Sequence, residues 1–408
     1  MSGHAPRARR ADLVLQAGAV LLPEGVARPG FVTVEDGVIT RVAQGTHPNP
    51  DEAWPDGVLA PGFIDLQING AAGCDFLAPD PDDLAAAEAH MLRGGTTAYL
   101  ATLISAPEPA LRAALGFFAE RAARGGAPRL AGVHLEGPFL SPLRPGAHSP
   151  EHLRPPSVAW ISGLLDEFPG LVRMVTLAPE LVGALPVIEA LRARGVVVAA
   201  GHTDATYAQA VAAFDEGVRV ATHLFNAMRP AHHREPGIAL AALGRPEVVC
   251  TVIADGVHLH PAVLDLVIAV KGPRGAALIT DAISAAGAPA DTATLGDRTV
   301  RLADGAPRLA DGTLAGSVLT MDEAVRRLVA GRAGLPGAVT MAAATPARVL
   351  GLDAGEIRVG RLADLVALDR ALVPAATVVA GAVAWRRAGV GPGDPEQSGV
   401  PRAAPSSG

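Results

Sequence analysis

The sequence predicts an α/β protein: a (β/α)8 TIM-type barrel with a small β-sandwich formed by its N- and C-terminal segments. Three observations carry that expectation. The chain has 408 residues, 49% of them hydrophobic, which is enough for one large barrel plus an accessory domain. Its middle alternates short apolar runs with helical patterns about eight times. Its two ends are strand-rich and share a pattern that the middle lacks.

Residues 11–60 read as short strands, ADLVLQAGAVLL and FVTVEDGVITRVAQG, with EDG at 35–37 as the hairpin turn. The far end echoes them in EIRVGRLADLVALD and TVVAGAVAWRRAG. Between them the runs GFIDLQI, TTAYLATL, RLAGVHLE, VRMVTLA, VVVAAGH, RVATHLF, VVCTVIAD and ALITDA read as barrel strands, because parallel strands buried on both faces are continuously apolar. Helical patterns such as PDDLAAAEAHMLRGG, PALRAALGFFAERAARG and DATYAQAVAAFDEG follow them. The expected division is 1–58 for the first part of the sandwich, 59–352 for the barrel, 353–390 for the second part, and 391–408 for a disordered tail. An open doubly wound sheet is ranked well below, since no glycine fingerprint follows the first strand.

Composition excludes several functions. The net charge is −7 and no basic stripe is interleaved with aromatics, which argues against nucleic-acid binding. No run of 18 apolar residues is present to span a membrane. The start faintly resembles a signal peptide, but Asp12 and Gln16 break its apolar stretch and it reads as a strand of the mature protein. Two cysteines, Cys74 and Cys250, cannot build a disulfide framework, so a reducing cytoplasm is the expected location. Lys271 is the sole lysine, so any lysine-dependent chemistry must use it.

In such a barrel the active site forms at the C-terminal ends of the strands, and the ionisable residues gather there. The third run ends in Glu136, the fifth in His202, and the sixth contains His223. The seventh leads into Asp255 and His258, and the eighth into Asp281. Glu136, His202 and His223 form a His2Glu set, which suits catalytic zinc with one open position. Iron, cobalt and manganese accept the same donors. Such a metal acidifies water and polarises a carbonyl, and Asp281 is placed to act as general base and then as acid.

The blocks APGFIDLQING, GVHLEGPFLSP with GAH, GHTDAT, ATHLFNAM, HREPG, IADGVHLHP, LITDAISAAG and LAGSVLTMDEAV occur in this order over about residues 58–370. Together they resemble the N-acetylglucosamine-6-phosphate deacetylase family of the amidohydrolase superfamily, and GEIRVGRLADLVALD is similar to that superfamily's closing sandwich strands. The resemblance implies hydrolysis of the acetamide of N-acetylglucosamine 6-phosphate, releasing glucosamine 6-phosphate and acetate. It also implies a divalent metal, zinc first, and a homodimer. The alternative keeps the chemistry and changes the sugar to an epimer such as N-acetylgalactosamine 6-phosphate. A non-catalytic scaffold would have lost its ligands, and this chain has kept them.

By the same resemblance, Asn226, Ala227 and Arg234 hold the phosphate, with Arg234 able to reach the site from a neighbouring subunit. His148 and His258 contact the sugar and the reacting carbonyl. Ala147 and the Leu314, Ala315, Gly316 stretch contact substrate through backbone and shape. Superfamily members often carry His-x-His on the first strand for a second metal, whereas this chain has Gln67 and Asn69. Neutral amides are poor zinc ligands, so one metal per chain is expected. Lys271 lies after a helical stretch rather than at a strand end, which leaves no carbamylated-lysine bridge. SPLRPGAH also lacks the lysines often found before GAH. Gln67, Asn69 and His134 are expected behind the ligands, as hydrogen-bond partners or core. Asp204 reads as the cap of the helix beginning ATYAQA, His232 and His233 as exposed, Cys250 as core. Asp255 reads equally as structural or as holding a histidine.

Overall fold

Eight parallel strands, each hydrogen-bonded to the next in chain order, form the central sheet of the computed structural model, which describes residues 12–388. They are Phe63–Ile68, Thr96–Ile104, Arg129–Glu136, Val172–Leu177, Val197–Ala200, Val220–Ala221, Val249–Ile253 and Ala276–Ile279. These are the eight runs expected from sequence, although the sixth strand is only two residues long. The eighth strand returns to the first. The Asp281 amide donates to the Gln67 carbonyl at 2.9 Å and the Asn69 amide to the Ala282 carbonyl at 2.7 Å. Asp65 completes the seam by accepting the Thr280 hydroxyl at 2.5 Å.

A helix follows every strand: Pro81–Arg93, Glu108–Arg124, Val158–Glu167, Ala184–Ala193, Tyr207–Asp215, Gly237–Leu243, Pro261–Gly275 and Met321–Val329. Their starts are written locally. Asp80 accepts from the amides of Asp82 and Asp83 ahead of the first helix. Thr206 and Gln209 form a reciprocal capping box on the fifth. Thr206, not Asp204, is therefore the cap of that helix, which corrects the expectation for Asp204. The apolar helix faces and the strands share one continuous core that includes Phe63, Phe76, Phe118, Phe139 and Phe214. Burying each such side chain contributes about 1.5–3 kcal/mol.

The terminal segments meet in a second, eight-stranded sheet. Leu13–Leu22 lies between Gly30–Glu35 and Glu52–Pro61, and Leu365–Leu368 pairs with Glu52–Pro61. Its separate core draws on both ends, with Leu15, Val32, Ile39 and Leu59 packed beside Leu365 and Val378. The hairpin turn falls at Asp36 and Gly37, both left-handed. The tail expected at 391–408 lies outside the described residues. Among those described, no helix is long and apolar enough to cross a membrane.

A three-stranded antiparallel sheet, Thr292–Leu295, Arg298–Ala303 and Ala306–Arg308, is inserted after the eighth strand. The barrel pattern does not call for it. Four side-chain hydrogen bonds pin it: Asp75 accepts from the Gly296 amide, Ser284 donates to the Thr294 carbonyl, and Asp297 accepts from Ser149 and pairs with His152.

Candidate active site

The C-terminal ends of the barrel strands open into a cavity of about 300 Å3, at the small end of the range for small-molecule sites. Asn69, Glu136, Ala147, His148, His202 and His223 line it, with Asn226, Ala227, His258, Asp281, Leu314 and Gly316. The backbone is forced at this rim. His202, His223, Ala227 and Asp281 all have positive φ, between 32° and 50°. Non-glycine residues held there cost energy and cluster at functional sites.

Three donor atoms meet at the floor. Glu136 Oε1 lies 3.2 Å from His202 Nε2 and 3.0 Å from His223 Nε2. The two imidazole nitrogens are 3.1 Å apart. His202 Nδ1 faces the Arg144 carbonyl at 3.1 Å. A carbonyl only accepts, so the proton of His202 is on Nδ1 and Nε2 turns a lone pair to the triangle. The edges of a tetrahedral site with bonds of about 2.0–2.1 Å are about 3.3–3.4 Å. The triangle is close to that size, and a divalent cation fits its donor set.

His148 also approaches, with Nε2 3.5 Å from Glu136 Oε2. Its tautomer is the reverse. The Ser105 amide donates to His148 Nδ1 at 3.2 Å, which places the imidazole proton on Nε2, aimed into the site. His148 thus faces the site as a hydrogen-bond donor, and His223 Nε2 is the third atom of the triangle with Glu136 and His202.

Gln67 and Asn69 occupy the space beside this triangle. Gln67 Nε2 donates to Glu136 Oε1 at 2.8 Å and to Asp281 Oδ1 at 3.1 Å. Asn69 Nδ2 donates to the same Asp281 oxygen at 2.8 Å. The two carboxylates fix the amide orientations, since only the NH2 group can donate. Burial, then the neighbouring Glu136 charge, pushes the Asp281 pKa up to about 6. Across the mouth, Asp255 Oδ2 holds His258 Nδ1 at 2.7 Å. Burial would raise the Asp255 pKa, but bonds from His258 and nearby amides outweigh it and keep it low. Asp255 is the orienting partner of a site histidine.

A profile of the amidohydrolase family matches residues 58–384. The chain belongs to the amidohydrolase family. Among its relatives, an N-acetylgalactosamine-6-phosphate deacetylase of Escherichia coli O157:H7 is 38% identical, covering 88% of this chain and 96% of that one. An N-acetylglucosamine-6-phosphate deacetylase of Homo sapiens is 39% identical, covering 81% and 84%. In structure, a mutant N-acetyl-D-glucosamine-6-phosphate deacetylase from Mycobacterium smegmatis, solved in complex with N-acetyl-D-glucosamine-6-phosphate, superimposes with a TM-score of 0.88. It is 39% identical and covers 92% of this chain and all of that one.

The amidohydrolase site does not take in every expected residue. Arg234 is exposed in the loop after the sixth strand, with a terminal nitrogen 3.0 Å from His233 Nε2, and outside the cavity of its own chain. Ala315 is buried against Ile283 and Leu295, so only its neighbours Leu314 and Gly316 face the cavity. His134 is enclosed between Thr102 and Thr176. Burial depresses its pKa to about 4, and it is a neutral core residue. Lys271 donates to the carbonyls of Ala242 and Arg245, away from the cavity.

The amidohydrolase cavity also uses residues that sequence reading passed over. Gly146, Leu295 and Thr313 line it. The three-stranded sheet that delivers Leu295 was signalled by the turn dipeptides Gly296–Asp297 and Asp304–Gly305 within an alternating stretch.

Proposed function

We propose that this amidohydrolase removes the acetyl group of N-acetylglucosamine 6-phosphate, giving glucosamine 6-phosphate and acetate. The observation that carries the reading is the Glu136–His202–His223 triangle with Asp281 beside it, in a cavity sized for a monosaccharide. Glu136, His202 and His223 would hold one divalent cation, with zinc favoured by the donor set. When bound, it would acidify water and polarise the amide carbonyl.

The remaining chemistry belongs to the chain. Asp281 Oδ1 is saturated by Gln67 and Asn69, which leaves Oδ2 for proton transfer. That oxygen takes the proton of the attacking water and returns it to the departing nitrogen, so one carboxylate serves both halves of the reaction. His148, with its proton on Nε2, and His258, held by Asp255, flank the place where charge develops on the carbonyl oxygen. Asn226 and Ala227 line the end of the cavity assigned to phosphate. Arg234, exposed in one protomer, completes that end in a homodimer by reaching a second copy's cavity. The free cysteines Cys74 and Cys250 agree with a cytoplasmic site of action.

The epimeric reading, N-acetylgalactosamine 6-phosphate, has its own support in the Escherichia coli O157:H7 relative. Acetate release from a panel of phosphorylated and free N-acetylhexosamines decides between them. The proposal expects the highest kcat/KM on N-acetylglucosamine 6-phosphate. A higher value on the galacto epimer would transfer the assignment, and no release from either would overturn it.

A further inference from the structure

Asp204 lies two residues beyond His202 and caps no helix. Its side chain is largely buried and bridges two arginines from different loops. Oδ1 accepts from Arg144 Nε at 2.8 Å, and Oδ2 from an Arg229 terminal nitrogen at 2.5 Å. The Asp204 carbonyl takes Arg229 Nε at 2.7 Å. Its own loop is anchored by Glu180, which accepts from the Asp204 amide and the Thr203 hydroxyl.

Both arginines belong to segments that build the cavity. Arg144 supplies the carbonyl that takes the His202 Nδ1 proton. Two residues on, Gly146 is left-handed and packs so close that a Cβ there would come within 2.8 Å of the His202 ring. Arg229 sits just past Asn226 and Ala227, and its strand-like stretch pairs with Thr203, the residue after His202. One carboxylate thus ties His202's own loop to the loops on either side of its ring.

We propose that Asp204 is a positioning residue for the metal site, holding His202 in its orientation and tautomer through the backbone of Arg144. This rests on the reading of His202 as a ligand. Removing the carboxylate frees the Arg144 guanidinium, leaves Arg229 only the Asp204 carbonyl, and lets the Arg144 carbonyl drift, so the lone pair of His202 Nε2 loses its fixed aim. Groups that orient a metal-bound histidine are worth about 10- to 100-fold in metal affinity.

The test uses metal-free full-length protein and a chromophoric chelator competing for Zn2+. Asp204→Asn and Arg144→Met should each weaken Zn2+ binding by about 10- to 100-fold. Their double variant should be no weaker than the worse single, since both break one link. Unchanged affinity in both variants, with only a lowered melting temperature of the metal-free protein, would overturn the proposal in favour of simple scaffolding. Additive losses would overturn the route through Arg144. His202→Asn is the control: if it binds Zn2+ like the native protein, the ligand assignment itself fails.

Discussion

Gln67 donates from one amide nitrogen to both Glu136 and Asp281, at 2.8 and 3.1 Å. A proton-bearing group therefore stands where a second cation would need a lone pair. Purified protein should carry about one tightly bound divalent metal per chain. Elemental analysis checks this, and two retained ions per chain would refute the reasoning from Gln67 and Asn69.

Asp281→Asn keeps the shape and the bonds from Gln67 and Asn69 while removing basicity. It should retain metal and bind substrate with little change, while kcat falls about 10²- to 10⁴-fold. The native carboxyl, pushed up to about 6 by burial and by Glu136, must be ionised to work, so activity is lost as pH falls. A bound cation pulls that midpoint down, which puts the acid limb of kcat at or below about pH 6. Metal loss in the variant would make Asp281 a ligand first.

His148 and His223 differ at Nδ1, which accepts from the Ser105 amide in His148 and is without a partner among the described residues in His223. His148→Gln should keep the metal and lower kcat about 10- to 10³-fold, the range for a donor at a developing oxyanion. His223→Gln should lose the metal. If the metal contents come out reversed, His148 replaces His223 in the ligand triangle.

Arg234→Ala should weaken the phosphorylated substrate about 10- to 100-fold in kcat/KM, the worth of a charged hydrogen bond. The unphosphorylated sugar should change much less. Mixing this variant with Asp281→Asn should restore part of the activity, because some hybrid sites would then be intact. Equal losses on both sugars would make Arg234 structural, and no recovery on mixing would place its action within one chain.

The barrel was legible because buried parallel strands announce themselves as apolar runs, and Glu136, His202, His223 and Asp281 stand where those runs end. What the sequence hides are relationships across distance. Asp204 precedes a helix and so passes for its cap, while the arginines it holds are 60 and 25 residues away. The opposite tautomers of His148 and His202 depend on which backbone group each Nδ1 meets, Ser105 N–H or Arg144 C=O. Asp255 becomes assignable only once its carboxylate is seen on His258. Arg234 stays outside the cavity of its own chain.

The pinned three-stranded sheet has one more consequence. Anchored to Asp75, Ser284, Ser149 and His152, it carries Leu295 into the cavity wall, so three distant stretches of the chain together set the shape of that wall.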